Sequence, residues 1–184
     1  SFIIFAGDQV RNGGRRNTDI LFSQLGELGI PYYLTRGNHD DGSYLIGKFN
    51  AIYGSTYYSF QRGSEKFIIL DCIENRGQIT GEQLKFLEKE LENSPTNTKN
   101  IFVVMHELIW LAEVRYGLKQ VEHNLVDSYH GIYENGTNFW DDIFPLLKSK
   151  VEGAHVYVIA GDLGGGPDTI SAYFSQVDDV TFLA

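Results

Sequence analysis

The stretch Arg36–Asp40, which reads Arg-Gly-Asn-His-Asp, directly follows the apolar run Tyr32–Leu34. The run predicts a buried strand, and the glycine lets the chain turn sharply where that strand ends. In α/β proteins, functional groups collect at the ends of such strands. The turn supplies an amide oxygen from Asn38, a proton donor near neutral pH from His39, and a carboxylate from Asp40 that can fix the imidazole tautomer. Taken alone, such a turn is commonly a polar surface loop, so the other strand ends decide its meaning.

Three further apolar runs also end in possible metal ligands. They are Asp8 after Ser1–Ala6, His106 after Asn100–Met105, and Asp162 after Ala154–Ala160. Continuous apolar runs are typical of strands covered on both faces, and the carboxyl ends of parallel strands meet at one edge of a sheet. Carboxylate, amide oxygen and imidazole together suit a divalent ion such as Mn, Fe or Zn, with Mg possible. The sequence therefore predicts a metal site where these ends meet.

The intervening segments predict helices and a hairpin. Asn17 or Thr18 is expected to cap a helix to about Leu28, which gives a strand–helix–strand unit with a parallel strand pair. The other predicted elements are an amphipathic segment Leu45–Tyr53, a hairpin of Tyr57–Gln61 with Lys66–Cys72, a helix to about Asn93 opened by a Thr80–Gln83 capping box, and a helix Phe139–Lys150 despite Pro145. The irregular, aromatic-rich stretch at about 108–142 is expected to be an insertion that either covers the site or packs peripherally.

Length and charge limit the class of protein. The 184 residues suit a single domain spanning residues 1–184. A net charge of -9 argues against a nucleic-acid-binding patch, so binding of an anionic phosphate would need a local positive centre such as a metal. Cys72 is the only cysteine, which excludes an internal disulfide and a cysteine-based zinc site. No membrane span is expected. Because the chain opens and closes in apolar strands, we expect both ends of a longer fold to be missing.

Gly7-Asp8, the Gly-Asn-His-Asp of residues 37–40, and His106 after an apolar strand resemble the calcineurin-like metallophosphoesterase family. The resemblance covers nearly the whole chain. It implies a four-layer αββα sandwich, here expected to be incomplete at both ends, and a two-metal site that hydrolyses phosphoesters. It further implies that Asp8 bridges the two metals and that Asn38 and His106 bind the second. By the same resemblance, His39 protonates the leaving-group oxygen with help from Asp40.

The chain departs from the family pattern in two places. The family begins with a strand ending in Asp-X-His, which binds the first metal, whereas this chain starts at the following strand. The family closes with Gly-His-X-His, where this chain has Gly161-Asp162-Leu163-Gly164. Asp162 can replace the first histidine at the second metal, but Gly164 cannot replace the second. The second metal would keep Asp8, Asn38, His106 and Asp162, so we expect one or two ions per chain.

Two functions from different classes follow. The first is a metal-dependent phosphoester hydrolase, either a phosphatase or a phosphodiesterase, in which metal-activated water attacks phosphorus and Arg11 and Asn38 contact the substrate phosphate. The alternative is a catalytically impaired module that keeps the fold and binds a partner. A homo-oligomer in which a second copy covers an exposed sheet edge is also open.

Overall fold

The computed structural model of the chain describes residues 1–118, 136–163 and 172–184. Residues 119–135, about half of the predicted insertion, and also Gly164 lie outside the described residues. No helix in the described part of the chain combines the length and the apolar character needed to cross a bilayer.

The first sheet consists of two parallel strands, β1 (Ile3–Phe5) and β2 (Tyr32–Leu34). Helix α1 (Arg15–Gly26) connects them, and helix α2 (Ser43–Tyr53) follows β2. The two helices bury a small core against β2, made of Leu25, Leu34, Leu45 and Phe49. The strand–helix–strand unit and the parallel pair predicted from the sequence are confirmed.

The second sheet has six strands in the order β3-β4-β5-β6-β8-β7. Their bounds are β3 Tyr58–Arg62, β4 Glu65–Ile69, β5 Asn100–Val104, β6 His155–Ile159, β7 Phe174–Val177 and β8 Val180–Leu183. The pairs β3–β4 and β7–β8 are antiparallel, whereas β4, β5, β6 and β8 run parallel. The carboxyl ends of the four parallel strands therefore lie at one edge.

Alternating side chains of the second sheet fill two different layers. On one face, Ile68 and Val103 belong to the largest core, which also contains Leu87 and Leu91 of helix α3 (Gly81–Glu92). The same core takes in a 3₁₀ turn (Ile109–Leu111), a π-helical turn (Phe139–Ile143) and helix α4 (Phe144–Lys148).

On its other face, the second sheet packs against the first. Ile69 and Val104 contact Ile4 and Tyr33, and Tyr33 stacks on Phe60 with ring centroids 3.6 Å apart. The layers are therefore helices, two-stranded sheet, six-stranded sheet, helices. This is the αββα sandwich that the sequence resemblance implied.

Two helix starts differ from the sequence-based predictions. Helix α1 begins at Arg15, and Thr18 is not its cap, since its hydroxyl donates back to the carbonyls of Gly13 and Gly14. Thr80 does precede α3, but its side chain makes no capping hydrogen bond. The predicted partner in the capping box, Gln83, instead pairs with the backbone of Asp71, accepting from its N–H at 2.7 Å and donating to its carbonyl at 3.0 Å.

Candidate metal centre

Four predicted strand ends meet at one imidazole. Asp8 follows β1, Asn38 follows β2, His106 follows β5 and Asp162 follows β6. The Nε2 atom of His106 lies 3.0 Å from Asn38 Oδ1, 3.4 Å from Asp8 Oδ1 and 3.7 Å from Asp162 Oδ2. Two of the four side chains come from each sheet, so the site exists only where the two sheets face each other.

The orientation of His106 is fixed through its other ring nitrogen. Nδ1 lies 2.8 Å from the carbonyl oxygen of Ala6, which can only accept, so Nδ1 carries a proton and donates it. Nε2 is thereby directed at the oxygens of the site, the arrangement usual for metal-binding histidines. The backbone carbonyl of His106 also accepts from the N–H groups of Gly161 and Asp162, at 2.9 and 3.0 Å. These bonds place Asp162 beside the ring.

Two glycines allow close approaches at the site, Gly7 between the two sheets and Gly37 between the two strand ends of the first sheet. A Cβ atom at Gly7, whose φ is +98°, would lie 2.1 Å from Nδ1 of His106. A Cβ atom at Gly37 would lie 2.2 Å from Oδ1 of Asp8. Both positions therefore exclude any side chain, which gives a physical reason for the glycine in Gly-Asp and in Gly-Asn-His-Asp.

Asp40 stabilises the turn and has different partners from those the sequence suggested. Its buried carboxylate accepts from the backbone N–H groups of Val10 and Gly37, at 3.1 and 2.9 Å. The imidazole of the exposed His39 lies with Nδ1 3.1 Å from the carbonyl oxygen of Arg11. The acceptor that orients the His39 ring is thus the Arg11 carbonyl, and the expectation that Asp40 fixes the tautomer is not met in this structure.

The electrostatics of the site favour a positive charge at its centre. Burial disfavours the charged form of His106, but the hydrogen bond and charge of Asp8, the Ala6 carbonyl and the charge of Asp162 outweigh it and raise the pKa of His106 to about 9. Burial acts to raise the pKa of Asp8, yet its contacts with His106 and with the His39 N–H lower that pKa below its usual value. In the metal-free protein, the carboxylates therefore stabilise an imidazolium.

Glu107 directly follows His106 in the chain. The structure buries it, with 2% of the residue exposed. Burial raises the pKa of Glu107 to about 8; the charge of His106 opposes this rise, and the charge of Asp162 adds to it. The ion pair between the guanidinium of Arg36 and the carboxylate of Asp71 was not predicted from the sequence. The available signal was that Asp71 also follows an apolar run, like the four residues of the site.

The donor set fits one divalent cation. Ligands at about 2.0–2.2 Å from a first-row metal lie roughly 2.9–3.5 Å from one another. The distances of 3.0 and 3.4 Å around Nε2 fall in this range, and the 3.7 Å to Asp162 requires a small inward movement. In the described ranges, no three or more His, Cys, Asp or Glu side chains are already grouped to hold a metal ion. A cation at this point would therefore need the amide oxygen of Asn38 as well as an inward movement of Asp162.

The amino-acid sequence matches a known protein family over most of its length. The sequence profile described as calcineurin-like phosphoesterase matches residues 1–164. The chain belongs to the calcineurin-like phosphoesterase family. No curated protein matches this phosphoesterase chain in sequence.

Two of the solved structures that share the fold of this phosphoesterase chain are phosphatases. One is a purple acid phosphatase from yellow lupin (Lupinus luteus) seeds, with a TM-score of 0.61 and 17% identity over 88% of this chain and 30% of the lupin chain. The other is a dimetal phosphatase from Danio rerio, with a TM-score of 0.60 and 12% identity over 99% of this chain and 71% of the other. The chain thus spans less than a third of the length of the lupin enzyme.

Proposed function

We propose that this chain is a metal-dependent phosphoester hydrolase. The observation that carries the proposal is that three oxygen atoms, which could serve as metal ligands, lie close to Nε2 of His106. A carboxylate and an amide from one sheet thereby meet an imidazole and a carboxylate from the other. Family membership gives the reaction class, since the family is that of the calcineurin-like phosphoesterases.

Asp8, Asn38, His106 and Asp162 would hold the cation, with Mn, Fe or Zn as the best matches for this mixed set. A bound divalent ion supplies Lewis-acid polarisation of the phosphate and a water made acidic enough to attack phosphorus near neutral pH. The chain contributes the fixed geometry. His106 is locked by Ala6, and the His39 N–H donates to Asp8 Oδ1 at 2.9 Å, which leaves that carboxylate oriented towards the site.

His39 is our candidate for the general acid. With Nδ1 held by the Arg11 carbonyl, Nε2 is the atom that would donate a proton to the leaving-group oxygen. Asp40 would act indirectly, by holding the turn that carries His39. The exposed guanidinium of Arg11 and the amide of Asn38 are our candidates for contacts to the substrate phosphate.

The test is hydrolysis of a generic aryl phosphate with added Mn²⁺. We expect Asp8→Ala to abolish turnover together with metal binding. His39→Ala should lose roughly 100-fold or more of the turnover while still binding metal. His155→Ala is the matched control, because His155 is also exposed but begins β6, at the opposite end of that strand from Asp162. Rates in Asp8→Ala and His39→Ala equal to that of the control would falsify the proposal.

A catalytically impaired binding module is the second candidate. It is favoured by the fact that the described donors surround a single imidazole and suffice for one cation, with Asp162 standing where the family pattern has a histidine. Metal bound in the wild-type chain without any turnover would support this reading over the hydrolase.

A further inference from the structure

Arg36 is a buried cation that lies directly before the turn bearing Asn38 and His39. Only 9% of the residue is exposed. Its Nη1 atom lies 3.1 Å from Asp71 Oδ2, and its Nη2 atom lies 3.3 Å from Asp41 Oδ1. One guanidinium therefore contacts the far end of its own turn and, at the same time, the second sheet.

Asp71 is a rigid anchor for this contact. It is fully buried and follows β4. Its Oδ1 atom accepts from the N–H groups of Ile73 and Glu74 at 2.9 and 3.0 Å, while its own backbone is paired on both sides by the Gln83 side chain. The carboxylate thus has little freedom to follow Arg36 if the turn moves.

We propose that Arg36 is a positioning residue whose ion pair with Asp71 sets the position of the turn Gly37–Asp40 relative to the second sheet. The site needs this because Asn38 is delivered by the first sheet and His106 by the second. Among the Arg and Lys ion pairs in the described part of the chain, Arg36–Asp71 is the one that joins the two sheets. Because both terminal nitrogens of Arg36 contact carboxylates of the chain, Arg36 acts in this proposal through the turn.

The expected effect of Arg36 on metal affinity and turnover rests on the proposed function. The claim that Arg36 positions the turn Gly37–Asp40 does not. The pair should hold the turn in the metal-free protein as well. Its loss should therefore loosen the turn locally, without loosening the rest of the fold to the same degree.

The test compares Arg36→Met with Lys66→Met. Lys66 is the matched control, because it is 8% exposed and pairs with Glu90 across β4 and α3, away from the metal centre. In metal-free protein, we expect the amides of Gly37 and His39 to exchange with solvent about tenfold faster or more in Arg36→Met, and at the wild-type rate in Lys66→Met. With Co²⁺ as the probe, the dissociation constant should rise roughly 10- to 100-fold in Arg36→Met only. Arg36→Lys should partly restore both readouts.

Unchanged exchange at Gly37 and His39, or equal acceleration in the two variants, would overturn the proposal. If Arg36→Met does not fold, Asp71→Asn with Glu90→Gln as its control gives the same comparison, since each removes one carboxylate charge and keeps its shape. If the wild-type chain binds no Co²⁺ and shows no turnover, the proposed function fails, and the exchange experiment on metal-free protein still decides whether Arg36 positions the turn.

Discussion

Replacing Tyr58 with Phe tests how the first sheet is attached to the second. The Tyr58 side chain belongs to β3, and its hydroxyl donates to the carbonyl of Leu34 and accepts from the N–H of Leu34, both at 2.9 Å. Leu34 is the last residue of β2 and is fully buried. Burial and the neighbouring Tyr53 raise the pKa of the Tyr58 hydroxyl far above its usual value, so it keeps its proton at every pH of interest.

The size of the effect follows from what the missing oxygen leaves behind. Tyr58→Phe keeps the ring, which stacks on Tyr53 at a centroid distance of 4.2 Å, so no large cavity forms. It leaves the buried N–H and C=O of Leu34, on the side of β2 that faces away from β1, without their hydrogen-bond partner. Each unsatisfied buried backbone group costs about 1–3 kcal/mol, so for these two groups we expect a loss of roughly 2–6 kcal/mol in the free energy of unfolding.

Urea denaturation of metal-free protein, followed by tryptophan fluorescence, measures this loss. Tyr57→Phe is the matched control, because Tyr57 packs against Phe86 and the structure gives its hydroxyl no hydrogen bond among the described residues. We expect the control to lie within about 0.5 kcal/mol of wild type. If Tyr58→Phe is no more destabilising than Tyr57→Phe, the inference that this hydroxyl joins the two sheets is wrong.

Two further predictions concern the site itself. Gly37→Ala should raise the Co²⁺ dissociation constant by about tenfold or more, since its Cβ atom would lie 2.2 Å from Asp8 Oδ1. The control is Gly47→Ala in α2, which has no atom within 4 Å of its Cβ and should be neutral or slightly stabilising. Equal Co²⁺ binding by the two variants would contradict the inference that Gly37 allows the close approach to Asp8. Glu107 in the folded state keeps its proton up to about pH 8, whereas its ordinary pKa is 4.5, so its contribution to stability is present below about pH 4.5 and is lost as the pH rises through about 8. Urea titrations of metal-free protein should therefore show a smaller loss of stability between about pH 5 and pH 8 in Glu107→Gln than in wild type, and an identical loss would refute the assignment.

The strand ends were predictable because each combined two strong local signals. A continuous apolar run predicts a buried strand, and a glycine or polar residue directly after it marks where the run stops. This was sufficient to bring Asp8, Asn38, His106 and Asp162 to one place without knowledge of the packing.

The partners of individual polar groups were not predictable in the same way. The sequence places Asp40 beside His39, yet the fold brings the Val10 N–H within 3.1 Å of its carboxylate. Gln83 was expected to cap its own helix, but its side chain pairs instead with the backbone N–H and C=O of the buried Asp71. Such choices depend on groups that are distant in sequence, which local patterns do not contain.

Strand β7 (Phe174–Val177) was missed for a related reason. It lies at the edge of the sheet, and Phe174 is 73% exposed, so it shows no continuous apolar run and no clear alternation. Its strand conformation comes from pairing with β8, which itself pairs with β6.

Metal stoichiometry tests the central claim most directly. Purified wild-type chain, incubated with Mn²⁺ and freed of excess metal, should retain about one ion or more per chain by elemental analysis, because four donors converge on the site. Asp8→Ala should retain none under the same conditions, whereas His155→Ala should match wild type. Absence of bound metal from the wild-type chain, or equal metal content in the wild type and Asp8→Ala, would contradict the assignment of this strand-end cluster as a metal centre.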